Sequence, residues 1–262
     1  MDASLPLAGK TIVITRPMRQ SKAVGDRLTR MGANVIAFAL IAIEPPTDKP
    51  LLLTKLNNLK RYDYLIFTSR NAVEMTFATL TQPPQSQAFT LANTTQVAAV
   101  GKQTAQALEK QGVLVSIVPT AMFNSEALLE HAALQNVEAK RIAIVRGEGG
   151  RDLLQSTLQQ RGGLVEYIDV YRRVCPVTNL LPLVKCQAQR GIDIIVLTSV
   201  EGISTLFKLG AGQDWLTRAT LLVGSQRMAA FVSATGHQGK VIVADDPSDD
   251  QVIRSLINWA EH

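Results

Sequence analysis

The chain has 262 residues, 46% of them hydrophobic, with a formal net charge of +5, a pI of about 9.3 and a mean hydropathy of +0.10. That is enough apolar material for two buried cores of ordinary size, yet the longest apolar run, residues 33–43, is too short to cross a bilayer and is broken by Asn34. With 5% aromatics and no basic run longer than two, the positive balance points away from nucleic acid and membrane surfaces and toward an acidic small molecule.

The opening residues, Met1-Asp2-Ala3-Ser4-Leu5-Pro6, lack the basic start and apolar stretch of a signal peptide, so the expected compartment is the cytoplasm. Cys175 and Cys186 form no CxxC, and His131, His237 and His262 stand singly, so neither a metal centre nor a resident cofactor is expected.

Short runs rich in Val and Ile predict strands over 11–15, 35–38, 64–68, 97–100, 113–118, 141–145, 165–170, 194–198, 221–223 and 241–244. Their near-continuous apolar character is that of parallel strands covered on both faces. Helical periods lie between them, as at Ala23, Leu28 and Met31 and again at Leu153, Leu154 and Leu158, and these two helices should stop at Gly32 and Gly162. Asn124 or Ser125, followed by Glu126, and Ser248, followed by Asp249 and Asp250, read as helix N-caps. Ten strands with about eight helices predict an α/β fold of two doubly wound, flavodoxin-like parallel sheets of five strands each. Residues 39–60 and 172–190, which carry Pro45-Pro46, Pro50, Pro176 and Pro182, break the rhythm and read as extended connectors leading into helices.

The two halves repeat. Asp63-Tyr64-Leu65-Ile66-Phe67-Thr68-Ser69 is echoed by Asp193-Ile194-Ile195-Val196-Leu197-Thr198-Ser199, 130 residues later (193 − 63). The same offset links Arg16 with Arg146, Gly32 with Gly162, Pro46 with Pro176 and Phe77 with Phe207. Beyond that it becomes 123, pairing Val100-Gly101 with Val223-Gly224 and Ser125 with Ser248. The first copy therefore carries seven extra residues (130 − 123), placed in the polar stretch 81–94. A duplicated α/β unit with a pseudo-twofold relation is expected to enclose a cleft between its lobes. The pattern itself allows two arrangements: sequential lobes, 1–137 and 138–262, or a first β-α-β piece that joins the last third around an inserted middle.

In open parallel sheets, ligands bind beyond the carboxyl ends of strands, against helix N-termini. Both copies place small polar and basic residues there: Thr15-Arg16, Thr68-Ser69-Arg70-Asn71, Gly101-Lys102-Gln103-Thr104, Arg146-Gly147 through to Arg151, Thr198-Ser199, and Gly224-Ser225-Gln226-Arg227. Each Ser or Thr alone is an ordinary helix cap. Together with the cations they form an array suited to several carboxylates. Gly147-Glu148-Gly149-Gly150 follows a strand and opens a helix, but Asp152 stands where a dinucleotide fingerprint needs its third glycine. There is no P-loop, no G-x-S-x-G and no suggestive Cys–His pair. Tyr171, with Arg172 and Arg173 beside it, reads as a phenol at the start of the second connector: a snorkelling aromatic, or a proton donor at the mouth of the cleft.

The ordered set Thr15-Arg16-Pro17, Asp63 through Phe67-Thr68-Ser69-Arg70-Asn71-Ala72-Val73, Ala99-Val100-Gly101-Lys102-Gln103-Thr104-Ala105, Val170-Tyr171-Arg172 and Leu197-Thr198-Ser199 resembles the uroporphyrinogen-III synthases, from about residue 10 to 256. One element departs: the family's last G-x-x-T is here Gly224-Ser225-Gln226-Arg227, which puts a threonine contact in doubt. The resemblance implies the inserted arrangement, with one domain from 1–38 and 174–262, the other from 44–168, and a two-stranded connector formed by 39–43 and 169–173. It also implies a monomeric lyase that cyclises linear hydroxymethylbilane to uroporphyrinogen III, losing water and inverting the last pyrrole ring, with room for a transient contact with the enzyme that supplies the substrate. By the same resemblance Tyr171 is the catalytic candidate. Arg16, Thr68, Ser69, Arg70, Asn71, Gly101, Lys102, Gln103, Thr104, Arg146, Gly147, Thr198, Ser199 and Ser225 would hold the substrate's carboxylates. Two other classes share the duplicated lobes: a non-catalytic anion-binding or regulatory protein, and a nucleotide-dependent transferase.

Overall fold

The structure, a computed structural model, describes residues 5–83, 88–120, 122–177 and 179–261. The readings made for residues 1–4 and His262, and the part of the length difference placed at 84–87, lie outside the described residues. In chain order the elements are β1 (Thr11–Ile14), α1 (Met18–Arg30), β2 (Asn34–Ala37), β3 (Ala42–Glu44), α2 (Lys49–Leu56), β4 (Tyr64–Phe67), α3 (Arg70–Thr81), β5 (Gln96–Ala99), α4 (Lys102–Lys110) and α5 (Ser125–Leu129). There follow β6 (Arg141–Gly147), α6 (Leu153–Gln160), β7 (Leu164–Val174), α7 (Leu181–Gln189), β8 (Ile194–Leu197), α8 (Val200–Leu209), α9 (Asp214–Arg218), β9 (Leu221–Val223), α10 (Gln226–Ala234), β10 (Val241–Val243) and α11 (Asp249–Ala260). None of the described helices is long and apolar enough to cross a membrane.

The chain divides into two compact domains, one of Met1–Ala42 with Val174–His262, the other of Ile43–Arg173. In the first, the sheet runs β2-β1-β8-β9-β10, all parallel. This is a flavodoxin-like order, with its topological switch point between β1 and β8. Alternate strand residues supply opposite faces. Ile12, Ile14, Ile194 and Val196 pack with Leu28 of α1 and Val252 and Leu256 of α11. Val13, Ile195 and Leu197 pack with Leu183, Ile203, Leu206 and Val232 of α7, α8 and α10. Each such side chain contributes about 1.5–3 kcal/mol on burial.

The second domain's sheet runs β3-β7-β6-β4-β5, with the switch point between β6 and β4. Leu65, Phe67, Ala143 and Val145 face α2, α3 and α4, while Ile66, Ile142 and Ile144 face Leu128, Leu154 and Leu158 of α5 and α6. The predicted strand 113–118 is a correction: only one bridge forms there, between Ala98 and Ile117. Leu114 is 84% exposed and Ser116 is exposed, so the run is a half-wet edge and not a strand covered on both faces. In its place β3 completes the five, and α2 and α9 are among the helices beyond the eight expected.

Each sheet combines both copies of the repeat. β1, which with β2 comes from the first copy, pairs with β8 from the second, and β4, which with β5 comes from the first, pairs with β6 from the second. The repeated aspartates mark the exchange. Asp193 Oδ2 accepts from the Thr11 N–H at 2.7 Å, and Asp63 Oδ2 accepts from the Arg141 N–H at 2.8 Å. Gly32 and Gly162 end α1 and α6 at φ +93° and +81°, and the following N–H groups of Ala33 and Gly163 close back on Leu28 and Leu158. Asn124, not Ser125, caps α5, and Ser248 caps α11. The cap pairs Gly101/Ser225 and Asn124/Ser248 are both 124 apart (225 − 101; 248 − 124), so by helix start the first copy is six residues longer, not seven.

His237 carries a pH consequence for the first domain. Its ring lies edge-on to Phe207 at 5.7 Å, and neither ring nitrogen has a hydrogen-bond partner. Burial lowers its pKa, and the nearby Ala219 and Leu216 backbone offsets this only in part. A folded-state pKa below about 6.5 means the unfolded chain binds the proton more readily, so stability is lost as pH falls through that value. Thermal unfolding should show a decline from pH 7.5 to 5 that His237→Phe makes shallower; an unchanged profile in the variant would remove His237 as its source.

Candidate active site at the strand ends

At the switch point of the second domain, β6 and β7 stay in register up to Arg146–Asp169 and then slip, so that Gly147 stands opposite Tyr171. The extra residue is a β-bulge, which turns the following side chain to the face already holding Ile168 and Val170. Tyr171 thus lies inside β7 and is only 1% exposed, packed in the cluster of Phe67 and Val145. This corrects its placement at the start of a connector: the bulge, which the apolar pattern does not reveal, carries it inward. Its ring passes under Gly147, where a Cβ would come within 2.5 Å of Cζ. The Glu148 N–H donates to the Tyr171 carbonyl at 2.7 Å, and the Glu148 carboxylate accepts from the Thr47 N–H and hydroxyl, which fixes the loop.

The Tyr171 hydroxyl has two polar neighbours. Arg173 Nη2 donates to it at 3.0 Å, and Ser69 Oγ lies 3.3 Å away. Ser69 follows β4, is half-buried, and caps α3 by accepting from the Ala72 N–H at 3.1 Å. Beside it the Thr68 hydroxyl donates to the Val145 carbonyl, Arg70 pairs with Glu74 one turn on, and Asn71 continues α3. Arg146 is not a free cation. It lies 3.3 Å over the Tyr167 ring and pairs with Asp152 and Asp169. Burial and the hydrogen bond to Asp152 push the Tyr167 phenol up to about 12, so it stays a donor. At the next strand end Gly101 caps α4, Lys102 lies 5.3 Å from the Phe123 ring, Gln103 is exposed, and Thr104 is buried on the inner side of α4.

The first domain has the equivalent arrangement without the tyrosine. Arg16, only 7% exposed, is gripped by Asp249 and the Pro247 carbonyl, and its Nε donates to Thr198 Oγ1 at 3.2 Å. Three of its five N–H donors are thus committed inside the domain, which gives Arg16 a structural task there. Ser199 and Ser225 cap α8 and α10 by accepting from Gly202 and Met228. Of the basic residues at the strand ends, Lys102 and Arg227 are exposed and form no ion pair among the described residues. No group of three His, Cys, Asp or Glu suited to a metal ion occurs among them either.

A site with a buried phenol, a serine at a helix N-terminus and flanking cations can donate protons and hold anions, but contains no assembled nucleophile–base pair. Residues 22–254 fit the family model described as uroporphyrinogen-III synthase HemD. The chain belongs to the uroporphyrinogen-III synthase family. Uroporphyrinogen-III synthases of Salmonella typhimurium and Synechococcus elongatus are 32% and 30% identical to it, over 94% and 98% of this chain and 99% and 98% of theirs. A crystal structure of a mutant uroporphyrinogen III synthase from Thermus thermophilus covers 95% of this chain and 99% of its own, with a TM-score of 0.63; at 17% identity that likeness speaks for the fold. The non-catalytic and nucleotide-dependent readings give way to an enzyme of porphyrin biosynthesis.

Sequence reasoning missed Arg173 as a partner of Tyr171 and Gly147 as the space its ring needs. A signal existed in the repeat. At the positions where the second copy has Gly147 and Tyr171, the first has Pro17 and Ile41, so the glycine and the large ring occur together.

Proposed function

We propose that the chain is a lyase that converts linear hydroxymethylbilane to uroporphyrinogen III, removing water from the hydroxymethyl group and closing the ring with inversion of the last pyrrole. The observation that carries this reading is the Tyr171–Ser69–Arg173 cluster at the second domain's switch point, in a chain of this family. Loss of hydroxide leaves an azafulvene that closes unaided to the uninverted isomer, so the protein's task is to assist departure and to orient the chain. Lys102 and Arg227, each in the first turn of a helix that follows a strand, are the groups best placed to meet carboxylates. The reading includes a monomer, and a place in the cytoplasm that is in keeping with the biosynthetic role named for its relatives.

The pure protein should turn over hydroxymethylbilane to isomer III with no added nucleotide or metal, and should do so after dialysis against EDTA. Separation of product isomers checks this. Isomer I alone, at the rate of a protein-free control, would refute the reading.

A further inference from the structure

The geometry points to Ser69, and not Tyr171, as the group that delivers a proton to the substrate, with the buried Tyr171, held by the exposed Arg173, forming a relay behind it. The inference rests on the cyclisation proposed above.

Tyr171 is 1% exposed and roofed by the Gly147 backbone, so its hydroxyl meets protein atoms and not the surface. Hydrogen-bond capacity orders the chain. A guanidinium can only donate, so the Arg173 contact at 3.0 Å occupies an acceptor position on the phenol oxygen. Either oxygen of the Ser69–Tyr171 contact at 3.3 Å can be the donor, and the relay uses the orientation in which the phenol proton lies toward Ser69 Oγ. That oxygen also accepts from the Ala72 N–H, so in this orientation both its lone pairs are used and its own proton is left for a further partner. Ser69 is the half-buried end of the line, at the N-terminus of α3 beside the switch point.

The proton balance closes without another reagent. The C–O bond of the hydroxymethyl group breaks as its oxygen takes the Ser69 proton and leaves as water, while the pyrrole nitrogen supplies the electron pair of the new double bond. Ser69 is reprotonated by Tyr171, whose oxygen stays hydrogen-bonded to Arg173. When the ring has closed, the joining carbon loses a proton, which returns through Ser69 to Tyr171. Ser69 is thus the catalytic residue, and Tyr171 and Arg173 are positioning residues that act through it.

A double-mutant cycle tests this. Ser69→Ala and Tyr171→Phe should each lower kcat by roughly 10- to 100-fold, the lower part of the range for a positioned general acid, with KM changed little. The double variant should be no worse than the poorer single one, because links of one relay fail together. Ser69→Thr should restore most of kcat, whereas Ser69→Asn, which keeps the helix cap but lacks the hydroxyl, should not. Multiplying losses, or wild-type kcat in Ser69→Ala with a crippled Tyr171→Phe, would overturn the relay. The same cycle read by thermal unfolding should show non-additive shifts in Tm, and additivity there would overturn the bond on which it depends. That readout is independent of turnover. A wild-type protein that failed to cyclise the bilane would therefore refute the function while the melting cycle still decided the contact.

Discussion

Gly147→Ala is expected to lower kcat as far as Tyr171→Phe does, roughly 10- to 100-fold, although the new methyl group carries no chemistry. Its Cβ would sit 2.5 Å from Tyr171 Cζ, 2.6 Å from Cε2 and 3.0 Å from the hydroxyl. One of the two must move, and the ring cannot sink further, because Phe67, Val145 and Val170 already pack its cluster. A displaced ring loses Ser69 and Arg173 together. Overpacking of this kind costs about 1–3 kcal/mol, so the variant should also melt earlier. Combining it with Tyr171→Ile, the residue type the first copy has as Ile41, should recover the melting temperature and leave kcat low. Wild-type kcat in the single variant would show that the ring's position under Gly147 is irrelevant to turnover.

The second large effect lies in the first domain and concerns stability. Arg16→Ala should destabilise the protein by about 2–3 kcal/mol, below the 3–5 kcal/mol typical of breaking a buried ion pair. The discount follows from exposure: Arg16 is 7% exposed but Asp249 is 36% exposed, so the carboxylate left behind is partly hydrated. What remains is the loss of charge-assisted hydrogen bonds to Asp249, Pro247 and Thr198. Calorimetry should report a drop in Tm of several degrees. Arg16→Lys should recover little of it, since an ammonium cannot span three acceptors as the guanidinium fork does. Steady-state kinetics separates this from a substrate-holding role. If Arg16 gripped carboxylates, KM would rise several-fold at temperatures where the variant is fully folded, and its Tm would match that of the wild type.

The contrast between these two residues shows what the sequence carries. Strand positions, the doubly wound character, the helix-ending glycines and the capping serines are local, and each was readable because a strand covered on both faces or a cap needs particular residue types. The 113–118 run misled because apolar composition does not report whether a second strand pairs alongside, and Leu114 and Ser116 face water. The site was half legible. The strand ends drew notice as small polar and basic residues, but their partners were invisible, because Asp249 lies 233 residues from Arg16 and only the fold brings them together. Tyr171 stood out by type. Its burial depends on a one-residue bulge, which shifts a side chain between faces without changing any hydrophobic pattern.

The exchange of strands between copies also sets the timetable of biosynthesis. The second domain is one continuous stretch, Ile43–Arg173, and can complete itself once that stretch has left the ribosome. The first domain cannot. Thr11 waits for Asp193, 182 residues downstream, which at roughly 5–20 residues per second leaves β1 with a bare edge for about 10–40 s. Arg16 waits longer still for the helix that begins at Asp249. A nascent chain therefore carries a finished domain and a strongly apolar strand with one open edge at the same moment. It is during this interval, more than in the finished enzyme, that the protein is exposed to aggregation and in need of a chaperone.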